Sequence, residues 1–316
     1  MPKPRLLVPL LILTVAVAAC GSSSATPATD AVGPATQATA PKVRVVATTT
    51  QLDDFARVIG GDCVEVYGIL KPNVDPHDYE PSPADLNAMA QAEVIVTNGV
   101  GLEKWLDDTI TSSGSSATVI DTSVGVNLRA GDGADPAGDP HIWQNPRNAT
   151  IMVTNIEQAL AAAEPDCHDE FAANLRTYAD KLNVLDQANA AALGALCNKK
   201  LVTNHDAFGY YVDRYGLDFV GSIIPSFDTS AELSATAVAD LVAAIKAQGV
   251  KAIFSESSLP PKTAEAIGRE AGVTVVQGDG ALYGDTLGPA GSAGATYLEM
   301  VAHNTATIVA DLSCTP

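Results

Sequence analysis

The stretch GDPHIWQNPRNATIMVTNIEQALAAA, residues 138–163, places a stiff loop directly before a helix. Asn145 is a typical N-cap residue and Pro146 a typical first-turn residue, so a helix is expected to begin here. Apolar residues then recur at helical spacing over 146–163. Those available for burial are Ile151, Val153, Ile156 and Leu160. The sequence therefore predicts a helix near the middle of the chain, with a histidine loop in front of it.

The tripeptide Asp-Pro-His in this stretch occurs a second time, in VDPHDYEPSP at 74–83. Proline fixes its own φ angle and pushes the preceding residue toward an extended conformation. The imidazoles of His77 and His141 are therefore both presented from rigid loops. Because the whole chain contains only five histidines, two in the same rigid setting indicate a metal site.

Short apolar runs alternate with amphipathic segments on both sides of the central helix, which is typical of βαβ units around a parallel sheet. The predicted strands are 42–48, 63–70, 93–97, 118–120, 201–203, 219–224, 250–255 and 273–276. The predicted helices are 51–59, 83–91, 102–110, 146–163, 170–196, 231–248, 261–271 and 294–312. This pattern indicates an α/β fold with two lobes, each built on a parallel sheet, joined by a single long helix.

The chain divides into five segments. Residues 1–19 are expected to be a signal peptide, because Lys3 and Arg5 precede an apolar run too short to cross about 30 Å of hydrocarbon. The ending Val-Ala-Ala-Cys resembles a bacterial lipobox in which Cys20 is acylated, and an ordinary cleaved signal with a coincidental cysteine is the alternative. Residues 20–41, rich in Ser, Ala, Thr and Pro, are expected to form a flexible tether. A first lobe at 42–145, a bridging helix at 146–166 and a second lobe at 167–316 complete the division.

Four cysteines beyond Cys20, an even number in an exported chain, predict two disulfides. Cys167 and Cys197 flank a predicted continuous helix and would lie about 45 Å apart, which is beyond disulfide reach. Two pairings remain open. The preferred pairing is Cys63–Cys167 with Cys197–Cys314, and the other is Cys63–Cys197 with Cys167–Cys314.

The formal net charge of −19 argues against nucleic acid and anionic lipid headgroups as partners of the folded part of the chain. A cation is the better partner. Exported proteins are also often acidic for solubility alone, so the charge by itself favours a cation only slightly.

Polar residues follow predicted strands in the second half of the chain as well, where open α/β sheets place their ligands. His205 ends the strand LVTNH, and Asp285 lies in the glycine-rich segment GDGALYGDTLG after the last strand. With His77 and His141 they bring three nitrogens and one carboxylate from both lobes to one cleft. Such a set suits tetrahedral zinc at about 2.0–2.2 Å. Asp279 lies in the same segment and is the alternative carboxylate.

The chain resembles the cluster A-I solute-binding proteins, the metal-binding lipoproteins of bacterial zinc and manganese ABC importers. The resemblance covers about 42–312 and rests on six motifs in the same order. They are DPHDYEPSPADL (75–86), NGVGLEKWL (98–106), DPHIWQNP (139–146), VTNHDAFGY (202–210), IFSESSLPPKTAEAI (253–267) and GDTLG (284–288). The resemblance implies two (β/α) lobes with metal held at their interface, and Pro146 at the opening of the bridging helix. The ligands it implies are His77, His141, His205 and Asp285.

The resemblance also implies a function. The chain is expected to bind zinc outside the cytoplasm, anchored to the bacterial cell membrane by lipid on Cys20, and to deliver the ion to an importer permease with a cytoplasmic ATPase. It is expected to be a monomer and not an enzyme. In this family glutamate at the third ligand position is associated with manganese and histidine with zinc, so His205 favours Zn²⁺. The chemistry agrees, because imidazole is softer than carboxylate. Mn²⁺, or both ions, is the alternative.

Two functions of other classes have weaker support from the sequence. A zinc hydrolase needs an open coordination position and a base, whereas four ligands fill the shell and no HExxH motif is present. A surface adhesin on the same fold has no support from the residues.

The remaining candidate residues are expected to have structural roles or to be exposed. His168 and His303 are not expected to bind metal, and Trp105 and Trp143 are expected to be core residues. Glu256, at a strand end, is expected either to hydrogen-bond a ligand histidine or only to order its loop.

The acidic loop at 129–139 lacks the His-rich stretch that several zinc members of the family carry before the second histidine. Asp132, Asp135 and Asp139 are expected to attract a cation weakly, or only to be solvated.

Overall fold

The structure is a computed structural model that describes residues 42–131 and 135–314. The predicted signal peptide, Cys20, the tether at 20–41 and Asp132 lie outside the described residues. Within the described ranges, no helix is both long enough and apolar enough to cross a membrane.

The first lobe is built on a four-stranded parallel sheet with strand order β2-β1-β3-β4. Its strands are β1 (Val43–Ala47), β2 (Val64–Gly68), β3 (Val94–Thr97) and β4 (Thr118–Asp121). Its helices are α1 (Thr50–Gly60), α2 (Pro83–Gln91), α3 (Leu106–Ser113) and α4 (Pro146–Ala163). Val45 and Val96 pack with α1 and α4, while Val46 and Ile95 pack with α2 and α3. The central strands are apolar on both faces because helices cover both faces of the sheet.

The second lobe repeats this order, with a parallel sheet β6-β5-β7-β8. Its strands are β5 (Lys200–His205), β6 (Asp218–Ile224), β7 (Ala252–Phe254) and β8 (Thr274–Val276). The helices after α4 are α5 (His168–Gly194), α6 (Gly209–Tyr215), α7 (Ala235–Gln248), α8 (Lys262–Ala271) and α9 (Tyr297–Leu312). A strand lies within or next to each of the eight predicted runs. Helix α6 was not predicted, because seven residues are too few to show helical periodicity.

Short polar side chains set the first residues of the helices that follow the ligand loops. The side chain of Asn145 accepts a backbone N–H at the start of α4. Ser82 and Asp85 form a capping box at the start of α2, and Thr296 and Glu299 form another at the start of α9. Such caps satisfy N–H groups that the first turn leaves free. They therefore fix where both Asp-Pro-His loops and the Asp285 loop end.

The helix that joins the lobes is α5, whose 27 residues span about 40 Å at 1.5 Å per residue. Phe171 and Tyr178 in its first half are buried in the first-lobe core, and Leu193 near its end is buried in the second-lobe core. Helix α4 instead packs on β3 and β4 of the first lobe. We therefore place the bridge at α5 rather than at the predicted 146–166. Helical periodicity locates a helix but does not show which lobe it packs against.

Helix α9 lies beside α5 and also reaches both lobes. Tyr297 and Met300 near its start belong to the first-lobe core, and Ile308 and Leu312 belong to the second-lobe core. Two helices, α5 and α9, thus cross from one lobe to the other.

Two disulfides lie at the ends of α5. Cys63–Cys167 joins the start of β2 to the start of α5, with a Cα–Cα distance of 6.4 Å. Cys197–Cys314 joins the segment after α5 to the segment after α9, with a Cα–Cα distance of 6.1 Å. The structure thus contains the preferred of the two pairings.

Reduction of these disulfides is expected to lower the free energy of unfolding by about 2–4 kcal/mol per bond, because each closes a loop of more than 100 residues in the unfolded chain. Urea titration of the metal-free protein with and without reductant measures the effect. A double Cys63→Ser/Cys167→Ser variant isolates the first bond. Equal urea midpoints for the oxidised and reduced protein would show that the bonds do not constrain the unfolded chain.

Candidate metal centre

Four side chains, three from loops and one from a strand end, meet where the carboxyl ends of the two sheets face each other. His77 follows β2 and His141 lies between β4 and α4, both in the first lobe. His205 is the last residue of β5, and Asp285 lies between β8 and α9. Loops at the carboxyl ends of parallel strands are where α/β folds bind ligands. The four residues proposed from the sequence are thus brought together by the fold.

The four ligand atoms lie within 4.8 Å of one another. Nε2 of His205 lies 3.1 Å from Oδ2 of Asp285 and 3.3 Å from Nε2 of His141. Nε2 of His141 lies 3.4 Å from Oδ1 of Asp285, and Nε2 of His77 lies 3.4 Å from Oδ2. Two ligand atoms each about 2.1 Å from a tetrahedral ion are about 3.4 Å apart. The spacing therefore fits one four-coordinate ion.

The ligand atoms are withdrawn from solvent. The side chains of His141, His205 and Asp285 are fully buried, and that of His77 is 2% exposed. Among the described residues, Nε2 of His77 and both carboxylate oxygens of Asp285 have no hydrogen bond of good geometry. Buried polar atoms without partners are costly, so this cluster is built for a cation.

Asp139 fixes the ring of His141. Its Oδ1 accepts the backbone N–H of His141 at 3.0 Å and lies 2.8 Å from the ring Nδ1. Its Oδ2 accepts from the guanidinium of Arg129, and its backbone carbonyl accepts the hydroxyl of Tyr210. The ring is thus oriented with Nε2 toward the other members of the cluster, which is the usual arrangement for a metal-binding histidine.

Glu256, which follows β7, does the same for His205. Its Oε1 accepts the backbone N–H of His205 at 3.0 Å and lies 3.0 Å from the ring Nδ1. The other oxygen lies so close to Gly284 that a Cβ there would meet it at 1.9 Å. Glycine is therefore required at position 284, and the ring of His205 has its carboxylate partner.

Asp285 is held in place by the first lobe. Gln51 on α1 donates to the backbone carbonyl of Asp285 at 2.9 Å. The neighbouring carbonyl of Gly284 accepts from the indole of Trp143 at 3.0 Å and from Gln144 at 2.7 Å. Residues of the first lobe thus position the carboxylate of the cluster, which the second lobe provides.

Opposed charges dominate the metal-free site. Burial alone would lower the pKa of His205, but the facing carboxylates of Asp285 and Glu256 outweigh it and raise that pKa well above its ordinary value. Burial alone would raise the pKa of Asp285, but the neighbouring imidazoles lower it well below its ordinary value. Without metal, a protonated imidazole therefore lies beside an ionised carboxylate.

The remaining candidates lie outside the cluster. Asp279 is exposed and is not part of the group that could hold an ion. His168 is exposed at the start of α5, and the ring of His303 contacts the carbonyl of Ala281. Asp135 pairs with Lys104.

Sequence reasoning missed the roles of Asp139, Arg129 and Gln51. For Asp139 a signal existed, because it directly precedes the Pro-His pair. For Gln51 there was none, since it donates to Asp285, which is far away in sequence. For Arg129 there was none either, since no local pattern shows that it pairs with Asp139.

One protein-family model matches most of the chain. The model described as "ZnuA: Zinc-uptake complex component A periplasmic" matches residues 45–311. This range contains all four proposed ligands.

The names of individual relatives mention different metals. The manganese-binding lipoprotein MntA of Bacillus subtilis (strain 168) is 31% identical over 313 residues, covering 97% of this chain and 98% of MntA. The zinc-binding protein TroA of Treponema pallidum (strain Nichols) is 33% identical over 278 residues, covering 86% of this chain and 89% of TroA. The iron ABC transporter substrate-binding lipoprotein MtsA of Streptococcus pyogenes serotype M1 is 29% identical over 273 residues, covering 83% of this chain and 86% of MtsA.

The fold also matches a solved structure. The periplasmic zinc-binding protein TroA from Treponema pallidum superposes with a TM-score of 0.79 at 30% identity, covering 87% of this chain and all of the TroA chain. This agreement confirms the expected two-lobe α/β architecture.

Zinc binding near neutral pH is expected to release a proton, because the raised pKa of His205 keeps its ring protonated in the metal-free site. Affinity should rise with pH by about tenfold per unit for each proton released, until the pH exceeds that pKa. Calorimetric titration with zinc at pH 7, in buffers of different ionisation enthalpy, counts the protons. A binding heat independent of the buffer would contradict the protonated state of His205.

Removing either orienting carboxylate should weaken zinc binding by about 10–100-fold, the usual effect of losing such a partner. The variants are Asp139→Ala and Glu256→Ala, compared by competition with a chelator of known affinity. Asp279→Ala is the matched control, since its carboxylate is exposed and outside the cluster. Should all three variants bind alike, the two imidazoles must be held by other contacts.

Proposed function

Because this chain belongs to the ZnuA family of periplasmic zinc-uptake components, the metal-binding proteins of ABC importers, we propose that it captures zinc outside the cytoplasm and delivers it to a membrane permease. The family is one of transport binding proteins, in agreement with the expectation that the chain is not an enzyme. What is proposed is the identity of the ion, its four ligands and the anchoring of the chain.

The observation that carries the proposal is the spacing of three imidazole nitrogens and one carboxylate. Nε2 of each of the three rings lies 3.1–3.4 Å from an oxygen of Asp285, and the Nε2 atoms of His141 and His205 lie 3.3 Å apart. These separations fit donors arranged about a tetrahedral ion, and zinc is the ion most often held this way. Imidazole is a borderline-soft ligand that suits zinc. We take His77, His141, His205 and Asp285 as the ligands.

Manganese is the second candidate, and two observations favour it. The named manganese-binding relative MntA matches almost the whole chain. In addition, both oxygens of Asp285 face the cluster, since Oδ1 lies 3.4 Å from His141 and Oδ2 lies 3.1 Å from His205. A carboxylate that binds through both oxygens raises the coordination number toward the five or six that oxygen-preferring manganese adopts. Zinc remains first, because three of the four donor groups are imidazoles.

We also propose which partners the protein has and how it is attached to the membrane. The permease and its cytoplasmic ATPase are the partners that the family implies. Acylation of Cys20 would tether the folded lobes to the outer face of the cell membrane through residues 20–41, leaving a monomer free to reach the permease. A single acyl chain binds membranes only marginally, so stable anchoring needs more than one chain.

Replacing the third histidine tests the ion and the site together. His205→Glu keeps a ligand at the end of β5 but exchanges a nitrogen for oxygens. It should lower zinc affinity by at least about tenfold and reduce the ratio of zinc affinity to manganese affinity. His205→Ala should weaken the binding of both ions. Competitive titration against a chelator of known affinity at pH 7.5 gives the constants.

His168→Ala is the matched control, because that ring is exposed at the start of α5 and far outside the cluster. Zinc binding that survives unchanged in His205→Ala would remove His205 from the site. Tighter binding of manganese than zinc by the unaltered protein would instead make manganese the cargo.

A further inference from the structure

A short segment of the second lobe lies over the metal centre. We call residues 225–230, which follow β6, the strap. Phe227 in the strap is buried, and its ring centroid lies 6.2 Å from that of His141. The carbonyl of Ser226 accepts the backbone N–H of Asp206 at 3.2 Å, which ties the strap to its own lobe. The strap therefore belongs to the second lobe and covers a ligand of the first.

Two polar contacts join the strap to the first lobe. The hydroxyl of Thr229 donates to Oδ2 of Asp75 at 2.6 Å. The ammonium of Lys104 donates to Oδ2 of Asp228 at 2.6 Å. The backbone N–H and the hydroxyl of Ser230 both donate to the other oxygen of Asp228, which fixes that carboxylate.

The ion pair is present at any ordinary pH. Burial opposes ionisation of Asp228, but Lys104 and Ser230 outweigh it and hold the pKa of that carboxyl at about 2. The side chain of Lys104 is 52% exposed and that of Asp228 is 16% exposed. The contact therefore lies at the surface, and it joins residues of different lobes.

The two Asp-Pro-His loops differ in the contacts that the aspartate side chain makes. Asp139 uses one oxygen for both the backbone N–H and the ring of His141. Asp75 uses one oxygen for the backbone N–H of His77, at 2.9 Å, and its other oxygen for Thr229 of the opposite lobe. The position of the His77 loop therefore depends on the strap, whereas the ring of His141 is fixed directly by its own loop.

Of the three histidine rings, that of His77 lies furthest from the other two. Its ring centroid lies 5.6 Å from that of His141 and 6.0 Å from that of His205, while those two lie 5.2 Å apart. A small displacement of the His77 loop would therefore remove one ligand and leave the other three in place.

We infer that Thr229 is a positioning residue for His77, and that the strap, held by Thr229–Asp75 and Lys104–Asp228, sets the rate at which the bound ion leaves. This inference rests on the proposed function and deepens it. The ion departs when the strap lifts, because Asp75 then loses its second anchor and His77 withdraws. The ion also has to pass the strap on entry, so the association rate should stay equal or increase when the contacts are cut.

The test measures dissociation of Zn²⁺ by stopped flow, mixing the loaded protein with excess chromophoric chelator. Thr229→Val keeps the shape of the side chain and removes the donor, and should raise the dissociation rate by about three- to tenfold, as expected for the loss of one hydrogen bond. Thr229→Ser restores the hydroxyl and should restore the rate. Lys104→Met should raise the rate by about two- to fivefold, as expected for a rim ion pair.

Matched control variants distinguish an effect on zinc release from a general loss of stability. Thr154→Val removes a hydroxyl of α4 that donates to the carbonyl of Thr150. Arg57→Met breaks an ion pair with Asp53 within the first lobe. Both should leave the dissociation rate unchanged. The charge-swapped pair Lys104→Asp with Asp228→Lys should release zinc more slowly than either single variant, because it restores an ion pair between the strap and the first lobe.

Dissociation from Thr229→Val at the same rate as from Thr154→Val, in a wild-type protein that binds Zn²⁺ tightly, would overturn this inference and leave the proposed function intact. Absence of Zn²⁺ binding by the wild-type protein would overturn both. Faster release from Thr229→Val and Lys104→Met, reversed by Thr229→Ser and by the charge swap, would establish the role of the strap.

Discussion

The attraction between one buried carboxylate and three buried imidazoles is the interaction around which the two lobes are arranged. Asp285 comes from the second lobe, yet its backbone is held by Gln51 of the first lobe, and its neighbour Gly284 is held by Trp143 and Gln144. A buried charge is stable only when it is paired, so the lobes must close tightly around this group. Hydrogen bonds from Gln51, Trp143 and Gln144 therefore join the two lobes directly beside the charged group.

Each ligand depends on a second layer of polar groups that differs from loop to loop. Glu256 serves His205, and Asp139 serves His141 through a carboxylate that Arg129 also contacts. These partners keep the Nε2 atoms directed at a common point before any ion arrives. Preorganisation of this kind lowers the cost of binding, because little ordering remains to be done.

The sequence predicted the parts of this molecule that depend on local patterns. The strands, most helices and the four clustered residues follow from periodicity, from the rigid Asp-Pro-His loops and from positions after strands. The length of a helix excluded a Cys167–Cys197 bond and left two pairings open, of which the structure contains the preferred one. By contrast, the bridge was placed at 146–166 instead of α5, because which lobe a helix packs against depends on tertiary contacts. The roles of Gln51, Arg129 and Thr229 were invisible for the same reason.

Helices α5 and α9 both run from one lobe to the other, and they limit how far the lobes can move apart. A helix about 40 Å long, tied by a disulfide at its start and another just beyond its end, resists bending as a stiff rod does. A wide swing of one lobe against the other would have to bend this rod and its neighbour together. The loaded and empty forms should therefore have nearly the same outer dimensions, and a receiving membrane protein would have to sense a rearrangement of a few side chains on the rim of the cleft.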